Sequence, residues 1–185
     1  ALSQASFLHI RDGRSPIPHS RFNESYMLHA STSPFYPIIV SNDVTAAMMD
    51  GPGGIAITAE SIQEAVAFRQ TMGRVHREFA AKKDWFFNTW NPDKVKQGKN
   101  GKAVAFADAS PEFLASEPDV WVLHPGDGWH GFGEIEDGYC MLDPIKVSIV
   151  TPGVADKGGL DKRGIPATLL TAYLHRRGVE IEKTT

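Results

Sequence analysis

Four short stretches carry side chains whose types and spacing could do chemistry. In Ser31-Thr32-Ser33-Pro34, three consecutive hydroxyls precede a proline. A helix starting there takes Ser33 as its cap and Pro34 as its first residue, where a missing N–H costs nothing. Its unpaired N–H groups and positive dipole end would seat an anion, phosphate above all. The same pattern also reads as a plain helix cap, and caps are the commoner. In His124-Pro125-Gly126-Asp127-Gly128-Trp129-His130-Gly131-Phe132, two histidines, a tryptophan and three glycines crowd together. They suit a shaped loop facing a pocket, or a tight turn that sends Trp129 to the core, which pattern alone favours. Lys146 sits between Ile145 and Val147, where a lysine could serve as a Schiff-base nucleophile but more often snorkels from a polar face. Gly51-Pro52-Gly53-Gly54 lacks the Lys-Ser/Thr of a phosphate-binding loop and reads as a helix stop. The seven histidines form no helical metal-binding pair and Cys140 is the lone cysteine, so no metal site is expected.

These residues need elements to position them. Residues 5–11 read as a short strand and 22–30 as a short helix. A helix from Pro34 to about Met49 ends at the Gly-Pro-Gly-Gly run. A long amphipathic helix opens at Thr58 or Ser61, with Ser61 and Glu64 spaced as a capping box, and reaches about Lys82. Ile62, Ala65, Val66, Phe68, Met72, Val75 and Phe79 make its apolar stripe, with Arg69, Arg74 and Arg77 on the opposite face. The texture changes near residue 83. Residues 85–90, 119–123, 142–150 and 179–183 read as strands, 91–103 as a solvated loop or hairpin tip, 153–164 as a Gly-rich loop, and 166–177 as a helix stopped by Gly178. The expectation is a mostly helical part over residues 1–83 and an α/β part over 84–185.

The composition excludes several classes. Of 185 residues, 42% are hydrophobic and 22% charged, which is ordinary for a folded chain. Nineteen Lys+Arg against 22 Asp+Glu give a net charge of −3, so neither nucleic acid nor an anionic membrane is an expected partner. No apolar run is long enough to span a bilayer, and one cysteine allows no internal disulfide, so a cytoplasmic protein is expected. The chain opens on Ala1 directly into patterned sequence and stops in a strand-like one, as a piece of a longer chain would.

Read together, several blocks say more. Ala1-Leu2-Ser3-Gln4-Ala5-Ser6, Phe22-Asn23-Glu24, Tyr26-Met27-Leu28-His29, Ser31-Thr32-Ser33-Pro34, Trp129-His130-Gly131-Phe132 and Leu142-Asp143-Pro144-Ile145-Lys146-Val147 occur in this order. This set resembles the bacterial Orn/Lys/Arg decarboxylases, pyridoxal-phosphate enzymes of the aspartate-aminotransferase fold type. Ser20-Arg21-Phe22-Asn23, Ser41-Asn42-Asp43-Val44, Met48-Met49-Asp50-Gly51, Trp85-Phe86-Phe87, Phe106-Ala107-Asp108-Ala109 and Trp121-Val122 with His124-Pro125-Gly126 are similar to its acid-inducible arginine branch.

The resemblance carries expectations. The fold implied is α/β: residues 1–83 as the tail of a transferase-like major domain with a connecting helix, and 84–185 as an incomplete carboxy-terminal domain. The activity implied is decarboxylation of arginine to agmatine and CO2, consuming one proton per turnover, which suits acid stress. Lysine or ornithine decarboxylation, or a truncated non-catalytic module that binds an active decarboxylase subunit, are the alternatives. The cofactor implied is pyridoxal 5'-phosphate in a homodimer or larger homo-oligomer. Ser31, with Thr32 and Ser33 beside it, would reach the phosphate of the partner subunit's cofactor. Trp129, His130 and Asp143 would lie toward the substrate entrance, with Asp127, Glu134 and Asp143 as candidates for the far end of the substrate. In the family the lysine that carries the cofactor sits in a Ser-x-His-Lys motif just upstream of the block matching Ala1–Ser6, so none of the lysines here, Lys146 included, is assigned that role.

Overall fold

A computed structural model describes residues 7–30, 33–98, 101–138, 140–153 and 164–182. The chain divides into two compact units, Ala1–Thr58 and Ala59–Thr185. The division falls inside one long helix, Pro52–Ala81, and not near residue 83.

The first unit is helical. Helix α1 (His19–His29) is followed by α2 (Tyr36–Asp50) and the first turns of α3 (Pro52–Ala81). Residues 7–11 form no strand; alternation alone makes no ladder where no neighbouring backbone supplies partners. Helix α2 begins two residues later than Pro34, with Phe35 at the cap position. The reason is Pro37. In a helix starting at Pro34, residue 37 would have to donate the first intrahelical hydrogen bond, which proline cannot do. With Tyr36 first, Pro37 falls in the opening turn where no donor is needed. The Gly-Pro-Gly-Gly run both ends α2 and starts α3, so the long helix begins at Pro52 and Ser61 lies inside it. Gly54 is buried there, and a Cβ on it would collide with the main chain of Met49. Only glycine permits that approach.

Neither α1 nor α2 buries a residue. Leu28, Tyr36 and Met48 are 81%, 71% and 67% exposed, and Phe35, Ile39, Val40 and Val44 are exposed as well. So much uncovered apolar surface exceeds what a monomer normally presents. The 185-residue chain is therefore expected to bind a hydrophobic dye or self-associate; a dye-silent monomer would contradict this.

The second unit holds the core. Val66 of α3 packs with Val95, Phe106, Ala109, Leu114, Val120, Trp121, Leu123 and Leu142. Strands are few and short. β1 (Asn88–Thr89) pairs antiparallel with β4 (Ile149–Val150), and β2 (Lys94–Gln97) with β3 (Lys102–Ala105), so residues 91–103, expected as a solvated loop or hairpin tip, carry β2 and the first part of β3. Helix α4 (Pro111–Ser116) is capped by Ser110, whose hydroxyl accepts from the Phe113 N–H at 3.2 Å. Here a Ser-Pro pair does start a helix, as Ser33-Pro34 does not. Helix α5 (Ala167–His175) stops before Gly178, which has φ +78°.

All four strands expected in this unit are mostly something else, and of residues 85–90 only Asn88 and Thr89 are strand. Residues 119–123 open as a 3-10 turn, Pro118–Trp121, followed by a single bridge from Val122 to Met141. Residues 179–182 pair with no described strand. Within 142–150 only Ile149 and Val150 are strand. In the preceding segment Pro144 has no N–H, and the Asp143 carboxylate takes the N–H groups of Ile145 and Lys146. Arg69 takes the carbonyls of Asp143, Pro144 and Lys146. Side chains satisfy this backbone, so no ladder is required. The described chain is thus helix-rich, with two two-stranded sheets rather than the fuller α/β part expected. Residues 154–163 of the expected Gly-rich loop lie outside the described residues. No described helix is long and apolar enough to cross a membrane.

Candidate functional site

The His-Gly-Trp stretch forms a loop with a fixed neck. The Leu123 N–H donates to the Cys140 carbonyl at 3.0 Å and the Leu142 N–H to the Trp121 carbonyl at 2.7 Å. Within the loop His130 is buried, and both its ring nitrogens are used. Nε2 lies 2.8 Å from the His124 carbonyl, and Nδ1 accepts from the Phe132 N–H at 3.1 Å. One partner is an acceptor and the other a donor, so the proton sits on Nε2. Gly131, at φ +74°, turns the chain so that Phe132 can fold back onto the ring. Trp129 is half-buried, packs against the core and lies edge-on to His130, with centroids 5.4 Å apart. Its indole N–H points to Asp127 at 3.3 Å, and its carbonyl accepts from the Trp90 indole at 3.2 Å. Phe132 completes the cluster 5.9 Å from Trp90, still 59% exposed. Trp129 and His130 are thus brought together in a turn that packs Trp129 against the core, the reading that pattern alone favours. A cleft of about 550 Å³ beside them is lined by Lys94, Lys96, Asp119, His124, Asp127 and Trp129.

At the neck, His124 faces two carboxylates. Nδ1 is 2.7 Å from Asp137 and Nε2 is 3.4 Å from Asp119. Carboxylates only accept, so the imidazolium, with two N–H groups, is the form that serves both. The hydrogen bond to Asp137 raises the His124 pKa above its ordinary value, helped by the charges of Asp119, Asp137 and Asp127 against some desolvation.

Asp143 belongs to a different assembly. Its carboxylate ties down its own loop, accepting from the Ile145 N–H at 2.9 Å, and its carbonyl accepts from Arg69. Arg69 is only 1% exposed. Its guanidinium donates to the Asp143, Pro144 and Lys146 carbonyls and lies over the Trp121 ring, 5.1 Å from the centroid. Burial pushes its pKa down to about 10, against the opposing pull of Asp143. The arginine face of α3, placed opposite the apolar stripe by periodicity, is therefore a docking face. Gln70 donates to the Phe106 and Ala109 carbonyls at 3.1 and 2.8 Å, and Arg74 to Ala107 at 3.2 Å. Arg77 grips Asp108 through both carboxylate oxygens at 2.6 Å. A Cβ on Gly73 would come within 3.1 Å of Ala107. Positions 70, 73, 74 and 77 share one helical face. A glycine amid long polar side chains in a helix was the available signal of close approach. Phe68, placed on the apolar stripe by periodicity, is 45% exposed instead.

Lys146 is exposed and lies outside any strand, which fits no reactive role. Glu134 is exposed. No cluster of metal-ligating side chains occurs among the described residues. Ser31 and Thr32 lie outside the described residues, and Ser33 is exposed in the first unit, three residues before Tyr36. Phe35 gives α2 no side-chain cap. The exposed Ser33 and the N-terminus of a fifteen-residue helix to which Phe35 gives no side-chain cap suit the phosphate of a pyridoxal cofactor. They offer nothing for its ring or its aldehyde.

Comparison with known proteins places the chain. The model of the Orn/Lys/Arg decarboxylase major domain matches residues 1–185, so the match continues through residues 84–185. The biodegradative arginine decarboxylase of Escherichia coli (strain K12) is 52% identical over the whole chain, which covers 24% of that protein. The lysine decarboxylase LdcA of Pseudomonas aeruginosa is 42% identical over the whole chain, covering 22% of it. The solved structure of lysine decarboxylase A from Pseudomonas aeruginosa superposes with a TM-score of 0.61 at 38% identity, over 93% of this chain and 21% of that one. The chain spans about a quarter of the length of these relatives or less. Matched from end to end by the family's model, it belongs to the Orn/Lys/Arg decarboxylase family.

Proposed function

We propose that the protein carrying this chain is a pyridoxal-phosphate-dependent decarboxylase that converts arginine to agmatine and CO2 in the cytoplasm, as a homodimer or larger homo-oligomer. The observation that carries this reading is the 52% identity to an arginine decarboxylase along the entire chain, against 42% for the lysine decarboxylase LdcA. Pyridoxal 5'-phosphate, when bound, supplies the electron sink that lets the α-carboxylate leave. The contribution of this chain is binding and shape. Ser31, Thr32 and Ser33 offer hydroxyls, and α2 its N-terminus, to the phosphate of the partner subunit's cofactor. The loop of Trp129, His130 and Phe132 forms an aromatic wall toward the substrate entrance. Asp127, Glu134 and Asp143 are the acidic groups proposed to meet the far end of the substrate, with Asp143 held ready by its own Ile145 contact.

Substrate choice tests the proposal. A guanidinium is planar with five donors, and a site built for it wants paired acceptors; an ammonium needs only a point counter-charge. When the intact protein is given arginine, lysine and ornithine side by side, arginine should have the highest kcat/KM, by roughly a hundredfold or more, because unpaired polar groups discriminate strongly. Comparable turnover of lysine or ornithine would overturn the choice of substrate.

A further inference from the structure

We propose that His124 is a pH-operated clasp on the loop of residues 124–138: charged, it holds Asp137 and Asp119 together, and neutral, it lets one of them go. The geometry carries this. Asp137 sits on the returning limb of the loop and Asp119 in the Pro118–Trp121 turn, on opposite ring nitrogens at 2.7 and 3.4 Å. A neutral imidazole has one N–H, so its other nitrogen would turn a lone pair toward a carboxylate. The neck below is held by main-chain bonds at Leu123–Cys140 and Trp121–Leu142. Release at His124 therefore loosens the loop above the neck and leaves the core in place.

The His124 carbonyl also receives the His130 Nε2 proton, and His130 in turn holds the Phe132 N–H. Movement of His124 thus reaches the aromatic cluster through two hydrogen bonds. The other charged groups near the ring come from several elements. Asp127 adds negative charge from the loop tip, and Glu117, Lys94 and Lys96 line the same cleft. His130 is the other histidine of the loop. Because the His124 pKa is raised from the ordinary 6.5, the clasp is fully closed below about that pH and opens as pH climbs through the raised value. The loop is ordered in acid and loosened in base.

The test is amide hydrogen exchange in the intact protein, corrected for intrinsic rates, between about pH 6 and about pH 9. Protection of the amides of residues 126–136 should fall about three- to tenfold across that range, the scale of a partly exposed charge-assisted pair. His124→Gln should be weakly protected throughout and lack the transition. Asp137→Asn should move its midpoint to lower pH, since the largest cause of the raised value is gone. If His124→Gln does not fold, Asp137→Asn and Asp119→Asn decide alone. Flat protection in the wild type, a transition that persists in His124→Gln, or a midpoint unmoved in both asparagine variants would overturn the proposal.

Discussion

Replacing Arg69 by Met should destabilise the second unit by about 3–5 kcal/mol. The guanidinium is the sole described donor to the Asp143 and Lys146 carbonyls, and it bonds Pro144 between them. Each buried acceptor left without a partner costs about 1–3 kcal/mol. Asp143 and Lys146 are exposed enough for water to recover part of that, so the three losses do not simply add. The stacking on Trp121 disappears as well, worth about 0.5–2 kcal/mol. Arg69 also carries a cost. Its Nε is buried without a partner among the described residues, and burial has already pulled its pKa down to about 10. A well-packed apolar replacement recovers some of this, which keeps the total below the sum of the parts. Arg69→Lys should recover only part of the stability, since a single ammonium cannot reproduce a planar fork reaching three carbonyls. Urea unfolding followed by tryptophan fluorescence is the measurement, because Trp85, Trp90, Trp121 and Trp129 all belong to the second unit. A loss below about 1 kcal/mol for Arg69→Met would show that the 143–146 segment holds its shape without the arginine.

Arg69 also marks where the sequence stopped being legible. Periodicity and Gly/Pro punctuation located α2, α5 and the end of α3 to within a few residues, because both signals act locally, but α3 starts six or more residues before the expected Thr58 or Ser61. The family was legible from the ordered blocks, which survive without any knowledge of contacts. The start of α2 was misplaced because two Pro signals compete at 34 and 37, and hydrogen-bond counting decides between them only once both registers are compared. Strands failed for a different reason. Alternation in 142–150 is real, but whether a segment pairs depends on what else satisfies its backbone, and Arg69 comes from more than seventy residues away. The loop of residues 124–133 was legible as a shaped turn from its glycines. That His130 would be held at both nitrogens, and that His124 would meet Asp119 and Asp137, follows from the neck, which closes through Cys140. A charged face on a helix reads as solvated until the facing backbone is known.

A polypeptide of these 185 residues, mixed with pyridoxal phosphate and arginine, should release no CO2, and borohydride should trap no single-site adduct. Covalent capture of the cofactor needs a lysine whose amine is neutral enough to attack an aldehyde, a state that burial or a neighbouring cation produces. The chain contains no Ser-x-His-Lys sequence. Its described lysines, Lys82, Lys83, Lys94, Lys96, Lys102 and Lys146, are all exposed. Exposed lysines react with the cofactor weakly and without selectivity, so mass spectrometry after borohydride should find substoichiometric labelling spread over several sites. The proposed contribution of Ser31, Thr32 and Ser33 is a grip on phosphate, which positions a cofactor without activating it. Supplying the missing chemistry from outside separates the readings. The intact protein should show one stoichiometric adduct and arginine turnover under the same conditions. If it too fails both tests, the non-catalytic module becomes the better account of the parent. If the 185 residues alone give a stoichiometric adduct with turnover, the division of labour proposed here, with shape and phosphate on this chain and covalent chemistry elsewhere, is wrong.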